Sequence, residues 1–147
     1  MKKYLFPIAM ALVFSLTCLA QKEEKEAKNL TVPIAAKASL LKAFPGYSNI
    51  KWEKENANYE ANFKQNGKKM SAVFDNNGTL LEWEITMKPG ELPASILLYV
   101  KEHYKGVPIK EAAKITKSNG DVNYEAEVNK VDVMFDVNGK FIKEEKD

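Results

Sequence analysis

The sequence predicts an α+β fold of two tandem repeats, each one helix packed on about four antiparallel strands. Three observations carry this. Val32-Pro33 and Leu92-Pro93 each open a segment whose apolar residues recur at helical spacing, Ala36, Leu40 and Phe44 in the first and Ile96, Val100 and Tyr104 in the second. Tyr59-Glu60-Ala61-Asn62-Phe63 returns as Tyr124-Glu125-Ala126-Glu127-Val128, apolar and polar in alternation. Val73-Phe74-Asp75-Asn76-Asn77-Gly78 returns as Met134-Phe135-Asp136-Val137-Asn138-Gly139.

The chain opens on a segment foreign to that pattern. Lys2 and Lys3 precede an apolar run from Tyr4 to Leu16, and Cys18 and Ala20 supply the small side chains that a signal peptidase requires before Gln21. The run is shorter than the roughly 20 residues that span a bilayer. Residues 1–20 are therefore read as a cleaved signal peptide, and the protein as exported and periplasmic. Acylation of Cys18, giving a lipid-anchored form, is the alternative processing, and full secretion the alternative destination. Residues 21–31, with Lys22-Glu23-Glu24-Lys25-Glu26, read as a charged spacer. Residues 32–147 form the folded part, repeat one spanning 32–88 and repeat two 92–147.

Each helix has a physical start and stop. Proline suits the first helical turn because its missing N–H would lack a partner there. Pro45-Gly46 ends the first helix, and Gly106 with Pro108 ends the second. Strands are predicted at 49–55, 58–65, 68–75 and 79–87, then at 109–118, 121–129, 131–136 and 140–144. Asn66-Gly67, Asn77-Gly78, Asn119-Gly120 and Asn138-Gly139 separate them, since Asn and Gly tolerate the positive φ of tight hairpins.

Composition excludes several functions. Cleavage after Ala20 leaves twenty lysines, twenty acidic residues, no arginine and no cysteine. A neutral chain without Arg lacks the usual means of reading nucleic acid. The mature chain can form no disulfide, although an oxidising compartment would permit one. No second hydrophobic stretch approaches membrane-spanning length.

Catalytic chemistry is thinly represented. His103 is the sole histidine and no cysteine nucleophile accompanies it, so it reads as a boundary residue favoured by a helix C-terminus. The two Asp-to-Gly segments place glycine three positions after Asp, unlike the sixth-position glycine of a calcium-binding EF-hand loop, and read as turns. No catalytic residue, cofactor site or metal site is assigned. Glu82 and Glu84 flank Trp83 and should share one face, a solvated one by default; as close carboxylates they are also the material for a hydrolase. Trp83 depends on the loop before it. A two-residue turn pairs Ala72 with Trp83 and Phe74 with Leu81, and Trp83 is core. A three-residue loop pairs Phe74 with Leu80, and Trp83 joins an apolar patch opposite.

The order of proline-led helix, Tyr-Glu-Ala strand and Phe-Asp-x-Asn-Gly hairpin, over residues 32–144, resembles the PepSY-like, β-lactamase-inhibitor-like family of exported bacterial proteins. The resemblance implies a tandem domain that grips a target against a sheet surface. It transfers no inhibitory residue.

The alternation itself divides the sheet into two faces. Tyr59, Ala61 and Phe63, with Tyr124, Ala126 and Val128, are predicted to meet the helices. Glu60, Asn62, Lys64, Glu125, Glu127 and Asn129 are predicted to line an open face and are the candidate binding residues. The expected function is a non-catalytic exported module that binds or inhibits an envelope protein or peptide. The alternatives are a carboxylate-based hydrolase and a structural envelope component.

Overall fold

A computed structural model describes residues 30–146. The signal segment and nearly all of the spacer lie outside those residues. The elements run α1 (Ile34–Ala43), β1 (Ser48–Glu55), β2 (Asn58–Gln65), β3 (Lys68–Phe74), β4 (Leu80–Met87), a short 3-10 turn (Pro89–Glu91), α2 (Ala94–His103), β5 (Ile109–Lys117), β6 (Val122–Val128), β7 (Val131–Asp136) and β8 (Phe141–Lys146).

All eight strands form one antiparallel sheet in the order β1-β2-β3-β4-β5-β6-β7-β8. β4 and β5 pair from Glu82 with Lys117 to Met87 with Ala112. This corrects the expected architecture. The fold is one sheet-dominated structure carrying two short helices, rather than two repeats in which a helix packs on its own four strands. The reason is the cost of edges. Strands β4 and β5 would each expose a row of unpaired N–H and C=O groups if the sheet stopped between them, and pairing them removes both rows.

The helices lie on one face of this sheet. Each is preceded by proline, Pro33 or Pro93, whose carbonyl accepts an early helical bond. Each ends where the N–H of an aromatic residue, Phe44 or Tyr104, bonds back to Leu40 or Val100. Leu40 and Ile96 are fully buried, and burying such a side chain contributes about 1.5–3 kcal/mol. Around α1, Phe44 packs on Phe63 at 5.1 Å and on Trp83 at 6.4 Å between ring centroids. Around α2, Leu92, Ile96 and Val100 cover Ala112, Ala126, Val128, Val133 and Phe135. Phe63, Ala61, Ala126 and Val128 therefore sit on the covered face, as the alternation predicts.

The Asp-to-Gly turns are three-residue loops. Asp75 Oδ1 accepts the N–H groups of Asn77 and Thr79, both at 2.8 Å, and Asp136 Oδ1 accepts those of Asn138 and Lys140, both at 2.9 Å. These donors, Thr79 foremost, hold the Asp75 carboxyl below its usual pKa. Phe74 consequently pairs with Leu80, yet Ala72 still pairs with Trp83 because the register slips between Val73 and Phe74. Leu81 is the extra residue, a β-bulge. The same happens where Phe135 pairs with Phe141 and Met134 with Lys143, with Ile142 bulged. Trp83 is thus on the core face and paired with Ala72, as the two-residue turn predicts, although the loop has three residues and Phe74 takes Leu80 rather than Leu81.

Both turns are seated under helix starts. Gly78 has φ +81°, and a β-carbon there would lie 2.6 Å from the carbonyl carbon of Ala35. Gly139 has φ +79°, and a β-carbon there would lie 2.0 Å from Ser95 Oγ. Glycine is required twice over, by its backbone angle and by the closeness of the helix.

Candidate binding face

The helices leave one face of the sheet bare. Alternation along each strand assigns residues to it: the partners of the buried series Ala61, Ala72 and Trp83 point one way, and their chain neighbours point the other. Glu60, Asn62 and Lys64 of β2 lie on the bare face, as do Glu125 and Glu127 of β6. Asn129 does not. It occupies the β6–β7 turn with φ 56°, beside Lys130 at φ 62°, so it belongs to the rim.

The bare face has an apolar centre that the sequence reading missed. Val73, Ala113, Ile115 and Met134 point away from the helices, yet their exposures are 9%, 4%, 7% and 8%. The signal was present. Val133-Met134-Phe135 and Ala112-Ala113 are unbroken apolar runs, the mark of strands buried on both faces, whereas a solvated face demands strict alternation.

Carboxylates surround this centre. Glu84 pairs with Ser71 on one side and Ile115 on the other. Its carboxyl is raised to about 7 by burial first, and then by the charges of Glu60, Glu82, Asp132 and Glu111. Burial also raises Glu60, with Glu55 and Glu53 adding to it and a hydrogen bond with Ser71 opposing. Glu82 and Glu84 do share a face, but Glu84 is half-buried rather than solvated. Further along, Glu111 pairs with Glu127, Glu127 with Asp132 and Asp132 with Glu145. Four acidic residues thus stand in a straight row across β5 to β8. Like charges directly opposite one another destabilise a sheet. Lys110 reaches Glu127 at 3.0 Å and Lys143 reaches Glu145 at 2.5 Å, both from exposed positions. Lys64 and Lys69 face each other at the distant β2–β3 corner.

His103 lies on the helix side. Its Nδ1 donates to the Tyr99 carbonyl at 2.9 Å, and its ring stacks on Tyr99 at 3.9 Å. Tyr99 stacks in turn on Phe141 of β8 at 5.4 Å, and the Tyr104 hydroxyl donates to Glu144. The histidine therefore belongs to the contact that holds β8 to α2. Among the described residues no three acidic, histidine or cysteine side chains converge on a point that could hold a metal ion, and no helix is long and apolar enough to cross a membrane.

No family model and no curated protein matches the chain. Solved structures do. A Bacteroides eggerthii protein provisionally described as periplasmic shares 16% identity at a TM-score of 0.71, covering 79% of this chain and 89% of that one. A DUF2874 family protein from Bacteroides uniformis shares 18% at 0.70, covering 78% and 89%. A BLIP-like protein from Bacteroides fragilis shares 23% at 0.62, covering 80% and 89%. At these identities the likeness establishes a common fold.

Proposed function

We propose that this chain is a non-catalytic, exported binding module that engages an envelope protein or peptide through the bare face of its sheet. One observation carries the reading: a broad sheet face without a helix sets Glu111, Glu127, Asp132 and Glu145 in one row, like charges side by side that folding alone does not favour. The sheet edges are poorer candidates. β1 is bulged between Ser48 and Lys51, and β8 carries Lys143, Glu144, Glu145 and Lys146, devices that discourage strand addition. The signal-like start, the fold shared with proteins described as periplasmic, and the BLIP-like neighbour all favour export and protein binding. The PepSY-like motifs point the same way.

The test is a charge swap that keeps net charge constant. Lys64→Glu with Glu127→Lys should leave the melting temperature within a few degrees and weaken a partner captured from envelope extract at least tenfold, about 1.4 kcal/mol. Unchanged affinity would move the site to the rims or the helices.

The hydrolase reading draws on Glu82 and Glu84, neighbours on one strand face with one carboxyl raised, as acid and base pairs require. Release of reducing sugar ends from envelope polysaccharide by the wild type, abolished in Glu84→Gln, would establish it instead.

A further inference from the structure

We infer that Asn66, at the tip of the β2–β3 hairpin, is a site of spontaneous covalent modification, where the side-chain amide is displaced by the Gly67 nitrogen and an acidic residue is left. The inference is independent of the bare-face reading.

The chemistry is that of an asparagine followed by glycine, asparagine being one of the labile side chains. Hydroxide takes the Gly67 N–H proton, and the nitrogen attacks the side-chain carbonyl carbon of Asn66. An N–Cγ bond forms, the bond from Cγ to Nδ2 breaks, and ammonia leaves with a proton from water. One water then opens the five-membered succinimide. Breaking the new N–Cγ bond gives an aspartyl side chain on an unchanged backbone. Breaking the original peptide bond instead gives an isoaspartyl link, with the main chain lengthened by one carbon. Water enters, ammonia leaves, and nothing is oxidised or reduced. A side chain on the attacking residue would obstruct the closure, so glycine is what admits it.

The chain has four Asn-Gly pairs, and the fold treats them unequally. The N–H groups of Gly78, Gly120 and Gly139 donate to the carbonyls of Asp75, Lys117 and Asp136, at 3.1, 2.9 and 2.9 Å. Gly78 and Gly139 are also pressed against a helix start. The Asn119 amide is held at both ends by Asp121, its Nδ2 donating to Oδ2 and its Oδ1 accepting the backbone N–H. Asn66-Gly67 has none of these restraints. Gln65 pairs with Lys68, so the loop is two residues long, and φ of 51° and 78° make it a type I′ turn. Such a turn closes between its outer residues, Gln65 and Lys68, and leaves the Gly67 N–H to water. Beyond the chain neighbours, no heavy atom lies within 4 Å of where a β-carbon on Gly67 would sit. The side chain and the nitrogen therefore have room to swing together. Lys64, Lys68 and Lys69 stand around the tip, exposed and outside the ion pairs of the described residues, and nearby positive charge favours loss of the proton. Conversion adds a carboxylate to the end of the bare face that holds Lys64 and Lys69.

The test is a time course on the folded mature protein at pH 8. Digestion after lysine puts the four pairs on separate peptides, and mass spectrometry reads the gain of acid for amide in each. Conversion at Asn66 should run about tenfold ahead of the other three, a difference of about 1.4 kcal/mol in barrier. In guanidinium chloride, where the restraints are gone, the four rates should come within about threefold of one another. Ion exchange of the intact folded protein should show a more acidic form that Asn66→Gln does not accumulate. Faster conversion at any other pair in the folded protein would overturn the inference. So would an acidic form that persists in Asn66→Gln, or no conversion at Asn66 over a period in which the denatured chain converts. The same order with the same spread in denaturant would also overturn it, since the preference would then belong to the local sequence and not to the fold.

Discussion

Glu84 shows how one side chain can oppose the fold that holds it. Its carboxyl rises from 4.5 to about 7 in the folded protein. Between those values the native state binds more protons than the unfolded chain, so stability falls as pH rises from about 4.5 to about 7 and stays low above. Glu84→Gln removes the charged form. Urea unfolding at pH 8 should find the variant more stable by roughly 2–3 kcal/mol, while at pH 4.5 the two proteins should be nearly equal. A variant no more stable at pH 8 would mean that the carboxylate is well solvated. Gly78 is the opposite kind of residue, indispensable and chemically silent. Gly78→Ala must accept φ +81° and push on the Ala35 backbone. It should cost more than about 2 kcal/mol in chemical denaturation, because the obstacle is main chain and cannot rotate aside. A loss below 1 kcal/mol would show that the turn and helix can part without penalty.

The elements were largely legible from the sequence, for stated reasons. Asn-Gly turns fix hairpins locally, so the strands begin and end within a few residues of where the alternation puts them. Proline before each helix and glycine after it are equally local. What stayed hidden was relational. The bulges at Leu81 and Ile142 arise because a three-residue Asp-capped loop must be reconciled with a core that wants Ala72 opposite Trp83 and Val133 on the helix side; the conflict appears only once both are known. The apolar centre of the bare face is hidden behind the regular alternation of β2 and β6, whose Glu60, Asn62, Lys64, Glu125 and Glu127 suggest a polar side that Val73, Ala113, Ile115 and Met134 on β3, β5 and β7 do not share. Of the candidate site, the β2 and β6 positions lie where expected and Asn129 is displaced to a turn. The acidic row escaped notice because its members are scattered in the chain from Glu111 to Glu145 and meet only through register.

At the scale of the whole molecule, the pairing of β4 with β5 decides how the protein behaves. The helix and turn between those strands conceal that pairing from any local reading. With twelve residues from two strands locked together over Glu82–Met87 and Ala112–Lys117, the sheet should unfold as a unit. Trp52 and Trp83 are the only tryptophans and both lie in β1 to β4, so their fluorescence reports one half, whereas far-UV circular dichroism reports every strand. The two signals should give superimposable urea transitions. Fluorescence and dichroism midpoints differing by more than about 0.5 M would mean that the halves melt separately and that the seam is weak.

The seating of each turn under its helix has a consequence for how the chain is made. Ser95 Oγ donates to the Asn138 carbonyl across 43 positions, and Gly78 meets Ala35 over the same separation. Emerging N-terminus first from the ribosome, the first helix lacks the turn that seats it until Gly78 has followed it out. During that interval its apolar stripe, Ala36, Leu40 and Phe44, is offered to whatever waits at the exit. Vectorial synthesis thus sets a schedule: some forty residues must emerge between a helix and the turn that anchors it, and a chaperone that holds extended chain has that long to act.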